Sequence, residues 1–402
     1  MTHESLDSGR EVDLGPGLGL VRTSRAELFS TDAPLRLESG STLAPVEVAY
    51  ETYGTLSPAR DNVVVVCHAL TGDAHAAGHH GNPARRGWWD SAIGPGRAVD
   101  TDRFFVVCAN LLGGCAGTTG PLSPDPRTGA PYGLDFPAFT VADLVTVQRA
   151  LLRYLGIERV HAVVGGSLGG MQALEWALTA PTEVERAVVV CASARLSAQN
   201  IALSTAARAG ILRDPDFEGG RYAPDGPGPL AGLAAARMLG HVTYVSEEAL
   251  TAKFDRARRD RPDDGTPSIA LDGHGWFAPD FEVEHYLAHQ ADSFLERFDA
   301  LSYLYLTRVM DGFAPFARDD AGGRLAAVAA AGTRVLVESF TTDWRFGGDH
   351  SDRIADALVA ASVPVTRRHV SSPWGHDSFL LPLAEHLRLI EAFLADRTVG
   401  AT

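Results

Sequence analysis

Five short, valine-rich apolar runs punctuate the chain at residues 62–67, 103–109, 159–164, 186–192 and 333–337. Their length and unbroken apolar character predict strands buried on both faces, as in a parallel sheet covered by helices on either side. Residues 46–52 alternate instead and predict an edge strand of the same sheet. Between the runs the pattern turns helical. Residues 140–155 are the best marked case, with Thr140 as N-cap, Asp143 in the first turn, Leu144, Val147, Leu151 and Leu155 on one stripe, and Gly156 to end it. From Ala194 to about Asp311 the β-runs disappear, and helical stretches alternate with Pro/Gly-rich breaks at 225–229 and 261–267. The sheet pattern then resumes, and a last helix is expected at about 382–395. This is an α/β pattern. It divides the chain into a core of residues 1–194 and 312–402 and a helical lid insertion of residues 195–311.

After the 159–164 run stands Gly165-Gly166-Ser167-Leu168-Gly169, a G-x-S-x-G sequence followed by a helical stretch through Leu174 and Trp176. A sharp strand-to-helix turn of this kind exposes the serine hydroxyl, and the glycines let the flanking elements approach. A serine hydroxyl is a weak nucleophile at neutral pH, so it needs an imidazole base, itself oriented by a carboxylate. In the α/β-hydrolase fold these partners follow in the order Ser, Asp or Glu, His, on loops after late strands. Asp343 lies beyond the 333–337 run, and His376 beyond a short run at 365–370. Ser167, Asp343 and His376 are therefore the expected triad. The N–H groups of Leu168 and of Leu70, on the loop after the 62–67 run, are the expected oxyanion donors.

Composition narrows the partners. In 402 residues, 45% hydrophobic and 21% charged, a large core is available. A net charge of -15 excludes a surface for nucleic acid or an anionic membrane. Lys253 is the only lysine, so any anionic ligand must be met by arginine. Three of the four cysteines, Cys67, Cys108 and Cys191, end or adjoin apolar runs, where a thiol packs as a small hydrophobe, and Cys115 is the fourth. No cysteine pair has zinc-like spacing, and the count suits a reducing cytoplasm. The acidic start of the chain lacks the layout of a signal peptide, and no apolar run is long enough to span a bilayer. In the segment Thr71 to His80, a metal pairing of His75 with His79 is weakened by Gly78, which disfavours a ligand-bearing helix; no metal and no cofactor are expected.

Several longer blocks resemble the homoserine O-acyltransferase family: His68-Ala69-Leu70-Thr71-Gly72-Asp73, Gly87-Trp88-Trp89-Asp90, Leu112 to Pro121, Gly165 to Trp176, Ala236-Arg237-Met238, Gly240 to Tyr244, Tyr303 to Met310 and Gly375 to Leu380. The resemblance runs from about Ala49 to Leu381. It implies an α/β-hydrolase fold and ping-pong chemistry, in which Ser167 takes the acyl group of acyl-CoA and the L-homoserine hydroxyl then attacks the acyl-enzyme. It also implies that Arg237 holds the amino-acid carboxylate and Asp377 its ammonium, and that the enzyme is a cytoplasmic homodimer of the methionine pathway. Family members that prefer succinyl-CoA carry Arg two residues after the catalytic aspartate, as Arg345 stands here, and a guanidinium suits a succinyl carboxylate. Succinyl-CoA is the expected donor, with acetyl-CoA the alternative. Gly347-Gly348 and Leu301 depart from the family pattern, which leaves L-serine as an alternative acceptor. A serine esterase, in which water attacks the acyl-enzyme, is the main rival reading.

Overall fold

The computed structural model describes residues 17–258, 269 and 275–395. Eight strands form one sheet: β1 (Ser24–Leu28), β2 (Val46–Tyr53), β3 (Val63–Cys67), β4 (Phe105–Ala109), β5 (Val160–Gly166), β6 (Val184–Val190), β7 (Arg334–Phe340) and β8 (Val365–Val370). Their spatial order is β1-β2-β4-β3-β5-β6-β7-β8. The six strands from β4 to β8 run parallel, and β1 and β2 are antiparallel additions at one side.

All five residues of β3 are buried. Val63, Val65 and Cys67 enter the apolar cluster on one face of the sheet, while Val64 and Val66 enter the cluster on the other. Each valine fully withdrawn from water stabilises the fold by roughly 1.5–3 kcal/mol, so a strand apolar at every position is held from both sides. Cys67, Cys108 and Cys191 are buried free thiols, as their positions beside apolar runs predict, and Cys115 is half-buried.

The strand at 46–53 corrects an expectation. It is not an edge: β2 pairs with β4 on one side and with β1 on the other. The true edge is β1, five residues whose predominantly exposed pattern gives only a weak alternation in the sequence. Several strands also run past their apolar cores, β5 through Gly165 and Gly166 and β7 through Ser339 and Phe340, because ladder pairing to β6 and β8 continues where hydrophobicity stops.

Helix α1 (Val141–Tyr154) starts at Thr140 as expected, and Thr140 and Asp143 form a reciprocal capping box. Helix α2 (Leu168–Thr179) follows β5. Between β6 and β7 the described residues form six α-helices, the first five being α3 (Ala198–Arg213), α4 (Leu230–Tyr244), α5 (Glu247–Phe254), α6 (Glu282–Leu295) and α7 (Ala300–Gly312). No strand of the sheet lies among the described residues of this segment. Helices α8 (Ala321–Ala331), α9 (Gly348–Ala360) and α10 (Ala384–Leu394) complete the chain. No described helix is long and apolar enough to cross a membrane.

Register decides where the site lies. Cys67 pairs with Gly165, Gly166 with Val190, and Val190 with Glu338. The carboxyl ends of β3, β5, β6 and β7 therefore stand level, and the loops leaving them meet at one rim of the sheet, where open α/β sheets place their sites.

Candidate active site

Ser167 sits between β5 and α2 with φ 59° and ψ −124°, a conformation that costs a non-glycine residue about 1–3 kcal/mol. Close packing imposes the bend. A Cβ at Gly169 would run into the Cys67 carbonyl, and one at Gly165 into the Gly169 backbone, so only glycines let α2 start this near the strand ends. The Leu168 N–H opens the first turn of α2, where a backbone donor has no acceptor within its own helix. Leu70 lies on the loop after β3 and lines the same cavity as Ser167. That loop is braced by His68, a buried ring whose Nδ1 meets the Ala69 carbonyl at 2.8 Å and whose Nε2 accepts from the Leu111 N–H at 3.1 Å. The Gln172 amide donates to the His68 carbonyl at 3.2 Å, tying the loop to α2.

On the loop after β8, His376 lines the cavity with Ser167. Its Nδ1 lies 2.7 Å from Asp343 Oδ2. The other carboxylate oxygen, Oδ1, accepts from the backbone N–H groups of Arg345 at 2.9 Å and Phe346 at 2.8 Å. Burial works to raise the Asp343 carboxyl, but the charge and hydrogen bond of His376 and the two backbone donors hold it below the ordinary carboxylate value. Phe346, Phe379 and Tyr244 surround the imidazole, with ring centres 5.1, 5.8 and 5.9 Å away. Among the described contacts no hydrogen bond joins Ser167 to the imidazole, whose ring nitrogen Nδ1 is engaged by Asp343.

The remaining expected residues divide. Arg345 lines the cavity, its Nη1 donating to Thr243 Oγ1 at 2.8 Å and its guanidinium 5.4 Å from the Tyr244 ring centre. No carboxylate pairs with it among the described residues, although it is buried. Asp377 also lines the cavity, and burial pushes its carboxyl up to about 6 against partial relief from His376 and Arg237. Arg237 does not line the cavity. It is buried on α4 with its guanidinium 5.0 Å from the Phe294 ring centre, and its Nε and Nη1 have no hydrogen-bond partner among the described residues. Buried donors left open in this way are uncommon and mark a place where an acceptor is wanted.

The family model of the α/β-hydrolase fold matches residues 62–382. A homoserine O-succinyltransferase of Nocardioides sp. is 56% identical over 375 residues, covering 93% of this chain and 98% of its own length. The chain belongs to the homoserine O-acyltransferase family. A second relative, the homoserine O-acetyltransferase of Mesorhizobium japonicum, is 48% identical over 91% of this chain and 92% of its own. The solved structure of esterase E22 matches with a TM-score of 0.79 and 29% identity, covering 93% of this chain and 100% of its own.

For a member of this family, two features of the site were missed by reading the sequence. Arg297 lines the cavity, its Nη1 donating to the Thr71 carbonyl at 2.8 Å, but nothing local separates it from the chain's other arginines. Tyr244 stands between Arg237 and Arg345, within 6.0 and 5.4 Å of them. Its block carries the family resemblance, yet only the fold brings its ring to the imidazole.

Proposed function

We propose that this protein transfers an acyl group, succinyl in preference to acetyl, from coenzyme A to the hydroxyl of L-homoserine through an acyl-enzyme on Ser167. Ser167 Oγ attacks the thioester carbonyl while His376 Nε2 takes its proton. The N–H groups of Leu168 and Leu70 stabilise the oxyanion, and His376 returns the proton to the departing thiolate. In the second half His376 removes the proton of the homoserine hydroxyl, which attacks the acyl-enzyme and regenerates Ser167. Asp377 holds the amino acid's ammonium, and Arg237, outside the cavity lining but with two open donors and close enough to act on Asp377, takes its carboxylate, charge-assisted contacts that orient the hydroxyl. The described residues of 195–311, which bring Tyr244, Arg297 and Met310 to the cavity, act as its lid.

The observation that carries the donor assignment is Arg345, a buried guanidinium on the cavity wall with no carboxylate partner among the described residues. A succinyl carboxylate satisfies it; an acetyl group leaves it unpaired. The similarity to an O-acetyltransferase and to an esterase keeps two rival outcomes measurable. Succinyl- and acetyl-CoA are each assayed with L-homoserine, L-serine or no acceptor, following free thiol and acylated product. The reading requires succinyl-CoA with L-homoserine to be the fastest pair. Acetyl-CoA as the faster donor refutes the role of Arg345, and thiol release independent of acceptor makes the enzyme an esterase.

A further inference from the structure

We propose that Glu51, His75 and His80 form a binding site for one divalent transition-metal ion, with Zn2+ the best chemical fit. The sequence disfavours a metal pairing of His75 with His79, and the fold separates the two in role. His79 is drawn into backbone bridges with Leu20 and Arg86, and it is His80 that meets His75 over the β2 carboxylate. His75 Nδ1 lies 3.0 Å from one oxygen of Glu51 and His80 Nε2 lies 2.6 Å from the other. The two imidazole ring centres are 3.8 Å apart. One ligand atom from each of the three residues falls within 4.8 Å of the others.

Charge and ligand chemistry both ask for a cation. The Glu51 side chain has no solvent exposure, and its only ion-pair partners among the described residues are the two imidazoles. A carboxylate withdrawn from water is costly without a counter-ion, and a cation held between it and the two imidazoles supplies one. Two imidazoles and a carboxylate form a His2Glu set, which suits zinc; calcium and magnesium prefer all-oxygen sites. Metal–ligand bonds of about 2.0–2.2 Å place tetrahedral ligands about 3.3 Å apart, so the 3.0 Å and 2.6 Å contacts need to open by about 0.3 and about 0.7 Å.

An outer layer already aims the ligands. Thr23 Oγ1 donates to Glu51 at 2.8 Å and the Tyr53 hydroxyl at 2.9 Å. The same Tyr53 oxygen accepts from the Ala76 N–H at 2.8 Å, and Asp73 Oδ1 accepts from the His75 N–H at 2.9 Å. Such partners fix carboxylate and imidazole orientation at metal sites. His80 is half-exposed and gives an ion its way in. The ligands join β2 to the far end of the loop that carries Leu70, so a bound ion clamps the loop beside Ser167.

The test uses the full chain, stripped with a chelator and titrated with Co2+ and then Zn2+. The site predicts one equivalent of Co2+ with the visible absorption of a four-coordinate N/O environment, displacement by Zn2+, and a melting temperature that rises with zinc. His80→Ala, at a half-exposed position, should fold and lose at least about tenfold in affinity. Glu51→Gln should do the same. Since Cys191, Asp343 and His376 also cluster, His376→Ala serves as the control and should leave uptake intact. The proposal is overturned by absence of saturable uptake, by uptake that survives His80→Ala, or by uptake abolished in His376→Ala.

Discussion

Replacing Asp343 by Asn changes one atom, and the structure says which way the amide must turn. Oδ1 accepts two backbone N–H groups, those of Arg345 and Phe346. An NH2 group there would face two donors, so the amide oxygen takes that position and the NH2 turns to His376 Nδ1. The imidazole then has to accept at Nδ1 and carry its proton on Nε2, the nitrogen that must receive the proton of Ser167. With the base in the wrong tautomer, kcat should fall by roughly 10^4, which is about 5.5 kcal/mol of barrier. The assay is free-thiol release from succinyl-CoA with saturating L-homoserine, alongside single-turnover mass spectrometry of the acyl-enzyme. Both half-reactions should slow, because the same nitrogen serves both. Shape and backbone contacts are retained but the stabilised carboxylate charge is lost, so the melting temperature should fall modestly at neutral pH and the gap should close as pH drops below the ordinary carboxylate value. A loss of less than tenfold, or one confined to KM, would refute the role given to this hydrogen bond.

Ser167→Ala should lower turnover by several orders of magnitude and abolish the acyl-enzyme mass adduct, since a triad acts as a unit; a loss under tenfold contradicts the covalent route. Arg345→Leu removes a charged hydrogen bond worth about 1.5–3 kcal/mol, so the succinyl-to-acetyl ratio of kcat/KM should drop roughly tenfold to a hundredfold. An unchanged ratio removes the basis for the donor preference. Asp377 has its carboxyl raised to about 6 on folding, so its contribution to stability is present below the ordinary carboxylate value and is lost as pH climbs through about 6. Asp377→Asn cannot ionise and should melt higher than the parent above that pH, with the gap closing below about pH 4. The same variant should raise KM for L-homoserine roughly tenfold or more, and two identical melting profiles would show that no buried charge is at stake.

Features encoded within a few neighbouring residues were legible before folding. The unbroken apolar character of β3, four valines and Cys67, implied burial on both faces, Thr140 and Asp143 announced the start of α1, and Gly-rich spacing around Ser167 marked a tight turn. The order of Ser167, Asp343 and His376 was readable because the fold type dictates which loops can reach the serine. Contacts between distant segments were not. That 46–53 is flanked on both sides depended on where β1 came to pair. That His80 rather than His79 joins His75 depended on the path of a loop around a carboxylate 29 residues earlier in the chain. The placement of Arg237 outside the cavity wall, and of two backbone donors on Asp343, followed from helix and loop packing. Periodicity and turn preference act over a handful of bonds, whereas the choice among chemically equal histidines and arginines is made only when the sheet order brings remote side chains together.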